Sequence, residues 1–216
     1  MLAVDVSASM GYADGRGVGK LQVARLLAAA LAYLLVQQGD AVGLVSHDER
    51  IGASLPARTG RAHLVRVLGA LADLQTHGGT DLAAGVRRAA ARLGRRGCIV
   101  LLSDLFGDDG WDTALREMRR MGHEVVVFHV LTPEEHTLPP GGDMELVDLE
   151  TGERVVTNAA RVRDVYTASM AAFVAQQRAR AHAEGITYVE AGTDRGVDTL
   201  LREFTRHRAP QAGRGR

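Results

Sequence analysis

The sequence lacks the features of a disulfide-bonded, membrane-spanning or nucleic-acid-binding protein. Cys98 is the only cysteine, so no internal disulfide can form, and this favours a reducing compartment and a cytoplasmic location. The 26 Lys and Arg residues balance 26 Asp and Glu residues, so no net charge attracts nucleic acid or anionic lipid. No signal peptide opens the chain, and the longest apolar stretch, Leu26 to Val36, is too short to span a bilayer. We therefore expect no nucleic-acid partner and no membrane segment.

The sequence has instead an alternation of apolar segments typical of strands with segments of helical periodicity. The predicted strands are Leu2–Val6, Ala41–Ser46, Ile51–Leu55, Cys98–Ser103, Glu124–Leu131 and Ile186–Glu190. The predicted helices are Lys20–Gln38, Ala62–Leu74, Asp81–Leu93, Asp112–Met121, Ala160–Glu184 and Val197–His207. Only four residues link the second strand to the third, which is too few for a crossover helix, so that pair is expected to be antiparallel.

This alternation predicts an α/β fold with a doubly wound, mostly parallel sheet, one antiparallel edge strand and helices on both faces. At 216 residues the chain fits one domain, which we place at 1–208. Residues 133–158 are expected to form a hairpin insertion, because turn signals there interrupt the alternation. The Gly/Arg-rich tail at 209–216 is expected to be disordered.

Small oxygen-bearing residues follow the first predicted strand. Asp5, Ser7 and Ser9 occupy alternate positions in a strand-to-loop turn, where they can aim hard oxygens at one point. Such oxygens suit Mg²⁺, Mn²⁺ or Ca²⁺ rather than a soft metal. A polar turn whose serine caps the next helix is the alternative interpretation of the same residues.

Two further oxygen-bearing residues occupy suitable positions later in the chain. Asp104 ends the Cys98–Ser103 strand, and Thr80 stands before a predicted helix that it is well placed to cap. In doubly wound folds, ligands bind beyond the carboxyl ends of the strands, where the strand order reverses. If the strands that end near Asp5 and Asp104 flank that point, the oxygen-bearing residues converge there.

The order Asp5-x-Ser7-x-Ser9, then Gly79-Thr80-Asp81, then Ser103-Asp104 resembles a von Willebrand factor A domain with its metal-ion-dependent adhesion site. The finer likeness is to a bacterial family within that fold, domain of unknown function 58. It rests on these five segments in order: Asp5-Val6-Ser7-Ala8-Ser9-Met10, Gln38-Gly39-Asp40, Ser103-Asp104-Leu105, Gly122-His123-Glu124-Val125 and Asp148-Leu149-Glu150-Thr151-Gly152-Glu153.

The resemblance implies a role for each matched position. Ser7, Ser9 and Thr80 are implied as direct ligands of a divalent cation, and Asp5 and Asp104 as direct or water-mediated ligands. It further implies an open coordination position that a partner's Asp or Glu fills, and a MoxR-type AAA ATPase as that partner. Family members usually carry an upstream segment, often with membrane helices, so membrane association is expected if such a segment precedes this chain.

Three further expectations follow from the residues. Asp5 and Asp104 should crowd like charges when no metal is bound. The loops that border the site, Gly11–Gly19 and Phe106–Gly110, should form the contact surface, with Tyr12 and Phe106 as apolar anchors.

The preferred function is a non-enzymatic interaction domain, and the alternative is a metal-dependent phosphohydrolase with Asp5 as nucleophile. Against this alternative, Ser7 stands where haloacid-dehalogenase-like phosphatases carry the aspartate that serves as general acid. The segment Gly15–Lys20 also fails the phosphate-loop pattern, since Asp14 replaces its first glycine and Leu21 its Ser or Thr.

Overall fold

Eight strands form a six-stranded sheet and a separate two-stranded hairpin in the computed structural model, which describes residues 1–47, 51–93, 96–107 and 110–208. The sheet strands are β1 Leu2–Asp5, β2 Val42–His47, β3 Ile51–Arg58, β4 Cys98–Ser103, β5 Glu124–Leu131 and β8 Thr187–Gly192. The hairpin pairs β6 Asp143–Val147 with β7 Arg154–Asn158. The predicted disordered tail at 209–216 lies outside the described residues.

The sheet has the order β3-β2-β1-β4-β5-β8. The β2–β3 pair is antiparallel and every other pair is parallel, which confirms the predicted doubly wound α/β fold. From β1 the chain passes first to β2 on one side, and it later returns to β4 on the other side. The strand order therefore reverses between β1 and β4, and a crevice opens beyond their carboxyl ends.

The helices are α1 Lys20–Gln37, α2 Arg61–Ala72, α3 Leu82–Ala91, α4 Trp111–Arg120, α5 Pro133–His136, α6 Ala159–Ala183 and α7 Val197–Arg208. They cover both faces of the sheet, because successive apolar residues of the buried strands point to opposite faces. Leu2 and Val4 face one core with residues of α1, α2 and α7, whereas Ala3 faces a second core with residues of α3 and α4 and the end of α6.

The predicted bounds of β4 and β5 are correct, and those of the other elements differ by a few residues.

The prediction that Thr80 caps α3 is wrong. The Asp81 side chain accepts the hydrogen bond from the Ala84 N–H instead, at 2.8 Å. A carboxylate is a strong acceptor at a helix N-terminus, where it also meets the positive end of the helix dipole. The hydroxyl of Thr80 therefore has no capping role.

Helix α1 lies against the sheet but is less enclosed than its apolar sequence suggests. Leu27 and Leu31 are fully buried, whereas Leu26 and Tyr33 are more than half exposed. Among the described residues, one helix, Lys20–Gln37, is long and apolar enough to cross a membrane. Of this helix, 44% is buried inside the structure. The predicted absence of a membrane segment is therefore not established by the structure.

Candidate metal and partner site

The end of β1 forms the floor of the site. Asp5, its last residue, is fully buried, and its Oδ1 accepts a hydrogen bond from the Ser7 N–H at 2.9 Å. This contact turns the chain so that the hydroxyls of Ser7 and Ser9 lie 3.1 Å apart. A short 3₁₀ helix, Ala8–Gly11, follows and buries Met10 in the core, which fixes the turn to the sheet.

The end of β4 lies beside this turn. Ser103 Oγ donates to Asp5 Oδ2 at 2.6 Å and accepts from the Leu105 N–H at 2.9 Å. Asp104 is fully buried, and its Oδ1 accepts from the Phe106 N–H at 3.1 Å. These side-chain contacts stabilise Leu105 at a φ of 56°, which is unfavourable for a residue with a Cβ.

A buried histidine holds the Asp104 backbone from beneath. The nitrogen Nε2 of His129 lies 2.7 Å from the Asp104 carbonyl oxygen, and the Tyr188 hydroxyl contacts the other ring nitrogen. Burial lowers the pKa of His129 to about 4, so the ring is neutral near pH 7. Its Nε2–H donates to the Asp104 carbonyl, and the Tyr188 hydroxyl donates to Nδ1.

The Thr80 loop is joined to the β1 turn by two backbone hydrogen bonds. The His77 N–H donates to the Val6 carbonyl at 2.9 Å, and the Ala8 N–H donates to the Gly78 carbonyl at 3.0 Å. Thr80 itself contacts a residue that no sequence pattern places near the site. Its hydroxyl donates to Oε1 of Glu150, in the turn of the β6–β7 hairpin, at 2.9 Å.

Lys20, the only lysine in the chain, supplies a cation to the site. Its side chain is 1% exposed, and its Nζ lies 2.6 Å from Asp104 Oδ2 and 2.6 Å from Glu135 Oε1. Burial alone would lower the pKa of Lys20, but Asp104 and Glu135 outweigh it and hold that pKa above its ordinary value. The expected crowding of Asp5 and Asp104 is therefore partly relieved by an ammonium group.

Asp5 carries the remaining electrostatic strain. Burial, and then the nearby charge of Asp104, raise the pKa of Asp5 to about 7, although hydrogen bonds from Ser103 and Ser7 favour the ionised form. The ionised Asp5 carboxylate is therefore unfavourable in the metal-free protein, and a further cation would relieve it.

We predict that Asp5→Asn stabilises the metal-free protein at about pH 8 by at least about 1 kcal/mol, which corresponds to roughly one pKa unit. Below about pH 3 the difference should vanish, because Asp5 is then protonated in both the folded and the unfolded states. Because the folded-state pKa of Asp5 is raised above its unfolded value, its contribution to stability is complete at low pH and is lost as the pH rises toward 7. Urea unfolding with a chelator at both pH values measures this. An Asn variant that is less stable than wild type at both pH values would show that Asp5 is not strained.

A cavity of about 590 Å³ opens above the site. Ser9, Lys20 and Phe106 form its inner wall, the β6–β7 hairpin forms its outer wall, and Tyr166 of α6 adds an aromatic side. Five of its described lining residues are acidic and one is basic, Lys20. The acidic residues are Glu134, Glu135, Glu145, Asp148 and Glu150. A negatively charged group entering this cavity therefore needs more positive charge than Lys20 alone provides.

The donor set fits a hard divalent cation such as Mg²⁺ or Mn²⁺. Adjacent oxygens around an octahedral ion with bonds of about 2.1 Å lie about 3.0 Å apart. The hydroxyl oxygens of Ser7 and Ser9 lie 3.1 Å apart, which is close to this spacing and is also a hydrogen-bond distance. The two oxygens therefore need not move apart to bind one ion. The described ranges hold no group of three or more His, Cys, Asp or Glu side chains arranged for a metal, so an ion bound here would need hydroxyl ligands as well as carboxylates.

The geometry does not favour Asp5 as a phosphohydrolase nucleophile. Its side chain has no exposed surface, and each carboxylate oxygen accepts a hydrogen bond, one from the Ser7 N–H and one from the Ser103 hydroxyl. Each oxygen keeps a second lone pair, but a nucleophile must also be reached by its substrate, and the Asp5 carboxylate is buried.

The structure thus joins Asp5, Ser7, Ser9 and Asp104 at one crevice, with the Thr80 loop attached beside them. Sequence reasoning missed the roles of Lys20, Glu150 and His129. The sequence contains a weak signal for Lys20. A lysine at the first position of a strongly apolar helix is expected to be buried, and a buried lysine needs an acidic partner. Lys20 and Asp104 are 84 positions apart, so spacing could not identify that partner.

The family described as "Protein of unknown function DUF58" matches residues 1–178. The chain belongs to this family. The uncharacterized protein Rv1480 of Mycobacterium tuberculosis is 31% identical over 218 residues, which cover 98% of this chain and 68% of that relative.

Solved structures show the same fold. The conserved hypothetical protein BatB from Bacteroides thetaiotaomicron superposes with a TM-score of 0.62 at 18% identity, and the match covers 96% of this chain and 97% of BatB. The von Willebrand factor A domain of SpRpn10 superposes with a TM-score of 0.55 at 14% identity, over 94% of this chain and 92% of that domain. This DUF58 chain therefore has a von Willebrand factor A-like fold.

Proposed function

We propose that this DUF58 domain binds Mg²⁺ or Mn²⁺ at the carboxyl ends of β1 and β4 and uses the ion to capture a carboxylate of a protein partner. Ser7, Ser9 and Thr80 are the proposed hydroxyl ligands, and Asp5 and Asp104 are the proposed carboxylates, bound directly or through water. The observation that carries the proposal is the convergence of two buried carboxylates with the Ser7–Ser9 hydroxyl pair at the point where strand order reverses.

The charge of the cavity supports a requirement for metal. An acidic side chain of a partner would meet the carboxylates that line the cavity before it reached Ser9. A divalent cation turns this repulsion into attraction, and a desolvated ion–carboxylate contact is strong. The 3.1 Å spacing of the Ser7 and Ser9 hydroxyls is compatible with the octahedral geometry of Mg²⁺ or Mn²⁺.

Two residues, Tyr12 and Phe106, are the proposed apolar anchors of the contact with the protein partner. Tyr12 and Phe106 both line the cavity. The Tyr12 hydroxyl donates to Glu134 Oε2 at 2.8 Å, and the Phe106 ring stacks on Phe173 with centroids 5.4 Å apart. Both rings are therefore held in place before a partner arrives, which reduces the entropy lost on binding.

The partner that the family resemblance suggests is a MoxR-type AAA ATPase, and the proposed role is non-enzymatic. Binding of a purified MoxR-type ATPase to the immobilised domain, with Mg²⁺ or with chelator, tests this. We expect chelation to weaken binding at least about tenfold, or 1.4 kcal/mol. The Ser7→Ala/Ser9→Ala variant should bind weakly in both conditions.

Two results would contradict the proposal. Equal affinity with Mg²⁺ and with chelator would show that no metal bridges the two proteins. Hydrolysis of phosphate monoesters that depends on Mg²⁺ or Mn²⁺ and is lost in Asp5→Asn would favour the phosphohydrolase instead.

A further inference from the structure

The turn of the β6–β7 hairpin is a well-bonded support for one carboxylate. Asp148 Oδ1 accepts hydrogen bonds from the N–H groups of Glu150 and Thr151, at 2.8 and 3.0 Å, and these bonds hold the pKa of Asp148 below its usual range. The backbone of Asp148 also bonds to Glu153 and Gly152, and Gly152 adopts a φ of 74° that closes the turn. The direction in which Glu150 leaves the backbone is therefore fixed.

Glu150 reaches from this turn to the candidate metal site. It lines the cavity, and its Oε1 lies 2.9 Å from Thr80 Oγ1, across 70 positions of sequence. This oxygen spacing is that of adjacent ligands of one Mg²⁺ or Mn²⁺ ion, as it is for the Ser7–Ser9 pair. A Thr80 hydroxyl that binds the ion would thus have a carboxylate oxygen already at the neighbouring position.

Glu150 brings a further carboxylate toward a crevice that already holds two. Asp5 and Asp104 are buried near the same crevice, and Lys20 already shares its single charge between Asp104 and Glu135. A further carboxylate at this edge raises the negative charge that the protein must accommodate. A divalent ion would compensate for it.

We propose that Glu150 is an intrachain ligand of the divalent cation and occupies the coordination position that a partner's carboxylate takes. The inference rests on the proposed function. It makes the β6–β7 hairpin a competitor of the partner, so the partner must displace Glu150 from the ion to bind. Glu150 then keeps water and other carboxylates from this position of the ion until a partner of sufficient affinity displaces it.

Counting the water molecules on bound Mn²⁺, by water-proton relaxation, tests this proposal without any partner. The test compares wild type with Glu150→Ala and with Glu153→Ala, a matched control that removes the same charge from an exposed position in the same turn. We expect one more water on Mn²⁺ in Glu150→Ala than in wild type, and about tenfold weaker Mn²⁺ binding, because one charged ligand is lost. Glu153→Ala should match wild type in both respects.

Acetate serves as a probe for the vacated position. It should displace a water from Mn²⁺ in Glu150→Ala and leave the wild-type count unchanged. Mn²⁺ bound to wild type and to Glu150→Ala with the same number of waters would overturn the inference and leave the proposed function standing. A wild-type protein that binds no Mn²⁺ would overturn both.

Discussion

Lys20→Met is expected to lower the free energy of unfolding of the metal-free protein by about 3–5 kcal/mol, which is the usual effect of removing one member of a buried ion pair. The ammonium group is 1% exposed and contacts Asp104, which is fully buried, and Glu135, which is 13% exposed. Without it, two carboxylates face each other in a poorly solvated crevice. Methionine keeps most of the side-chain volume, so the loss is one of charge rather than of packing.

The control for this variant is Arg202→Met in α7. Arg202 pairs with Asp198 at 3.2 Å, the two side chains are 71% and 66% exposed, and exposed pairs contribute at most about 1 kcal/mol. Urea unfolding with chelator gives both values. Mg²⁺ should also raise the melting temperature of Lys20→Met more than that of wild type, because the ion finds an uncompensated Asp104. A Lys20→Met protein within about 1 kcal/mol of wild type would show that the buried pair contributes little.

Asp104→Ala should have the largest effect on metal affinity. Groups around metal ligands typically contribute 10–100-fold to affinity, so loss of Asp104, a fully buried carboxylate that water replaces poorly, should weaken Mn²⁺ binding by more than about a hundredfold. Calorimetric titration with Mn²⁺ measures this. Asp112→Ala is the matched control, since it removes a carboxylate bound by Arg180 at the start of α4, outside the candidate ligand set. Equal Mn²⁺ affinity in wild type and Asp104→Ala would remove Asp104 from the proposed site.

The structure changes one expectation about the same residue. Like-charge crowding by itself would make Asp104→Asn more stable than wild type when metal is absent. Because Asp104 is paired with Lys20 at 2.6 Å, neutralising it instead leaves a buried ammonium with one carboxylate fewer. The residue whose neutralisation relieves strain is Asp5, both of whose hydrogen-bond donors are uncharged.

The fold was predictable because its strongest signals are local. Cys98–Ser103 and Glu124–Leu131 are continuous apolar runs, as strands buried on both faces require, and their bounds are correct. The four-residue link after β2 excluded a helix and so predicted the antiparallel edge pair. The crevice followed from topology, because Asp5 and Asp104 end neighbouring parallel strands.

The contacts that set the charge of the site were not predictable, because they depend on tertiary packing. The hairpin near Glu150 was expected, but no sequence signal gives the direction in which a hairpin folds over the sheet. Thr80 was misassigned as a cap for a related reason. Thr80 and Asp81 are both suitable capping residues, and the sequence does not show that Asp81 accepts the hydrogen bond from the Ala84 N–H. His129 lies in an apolar strand, where nothing local distinguishes a structural histidine from one that holds the Asp104 backbone.

Anomalous diffraction from crystals grown with Mn²⁺ tests the central claim, metal binding between β1 and β4, most directly. We expect one manganese peak per chain, about 2.1 Å from the hydroxyl oxygens of Ser7 and Ser9 and next to Asp104. Crystals that contain Mn²⁺ but show no peak between β1 and β4, with the Lys20 ammonium still bound to Asp104, would contradict this claim. In that case the Lys20 ammonium would be the cation that neutralises Asp104. The DUF58 domain would then not capture its protein partner through a metal.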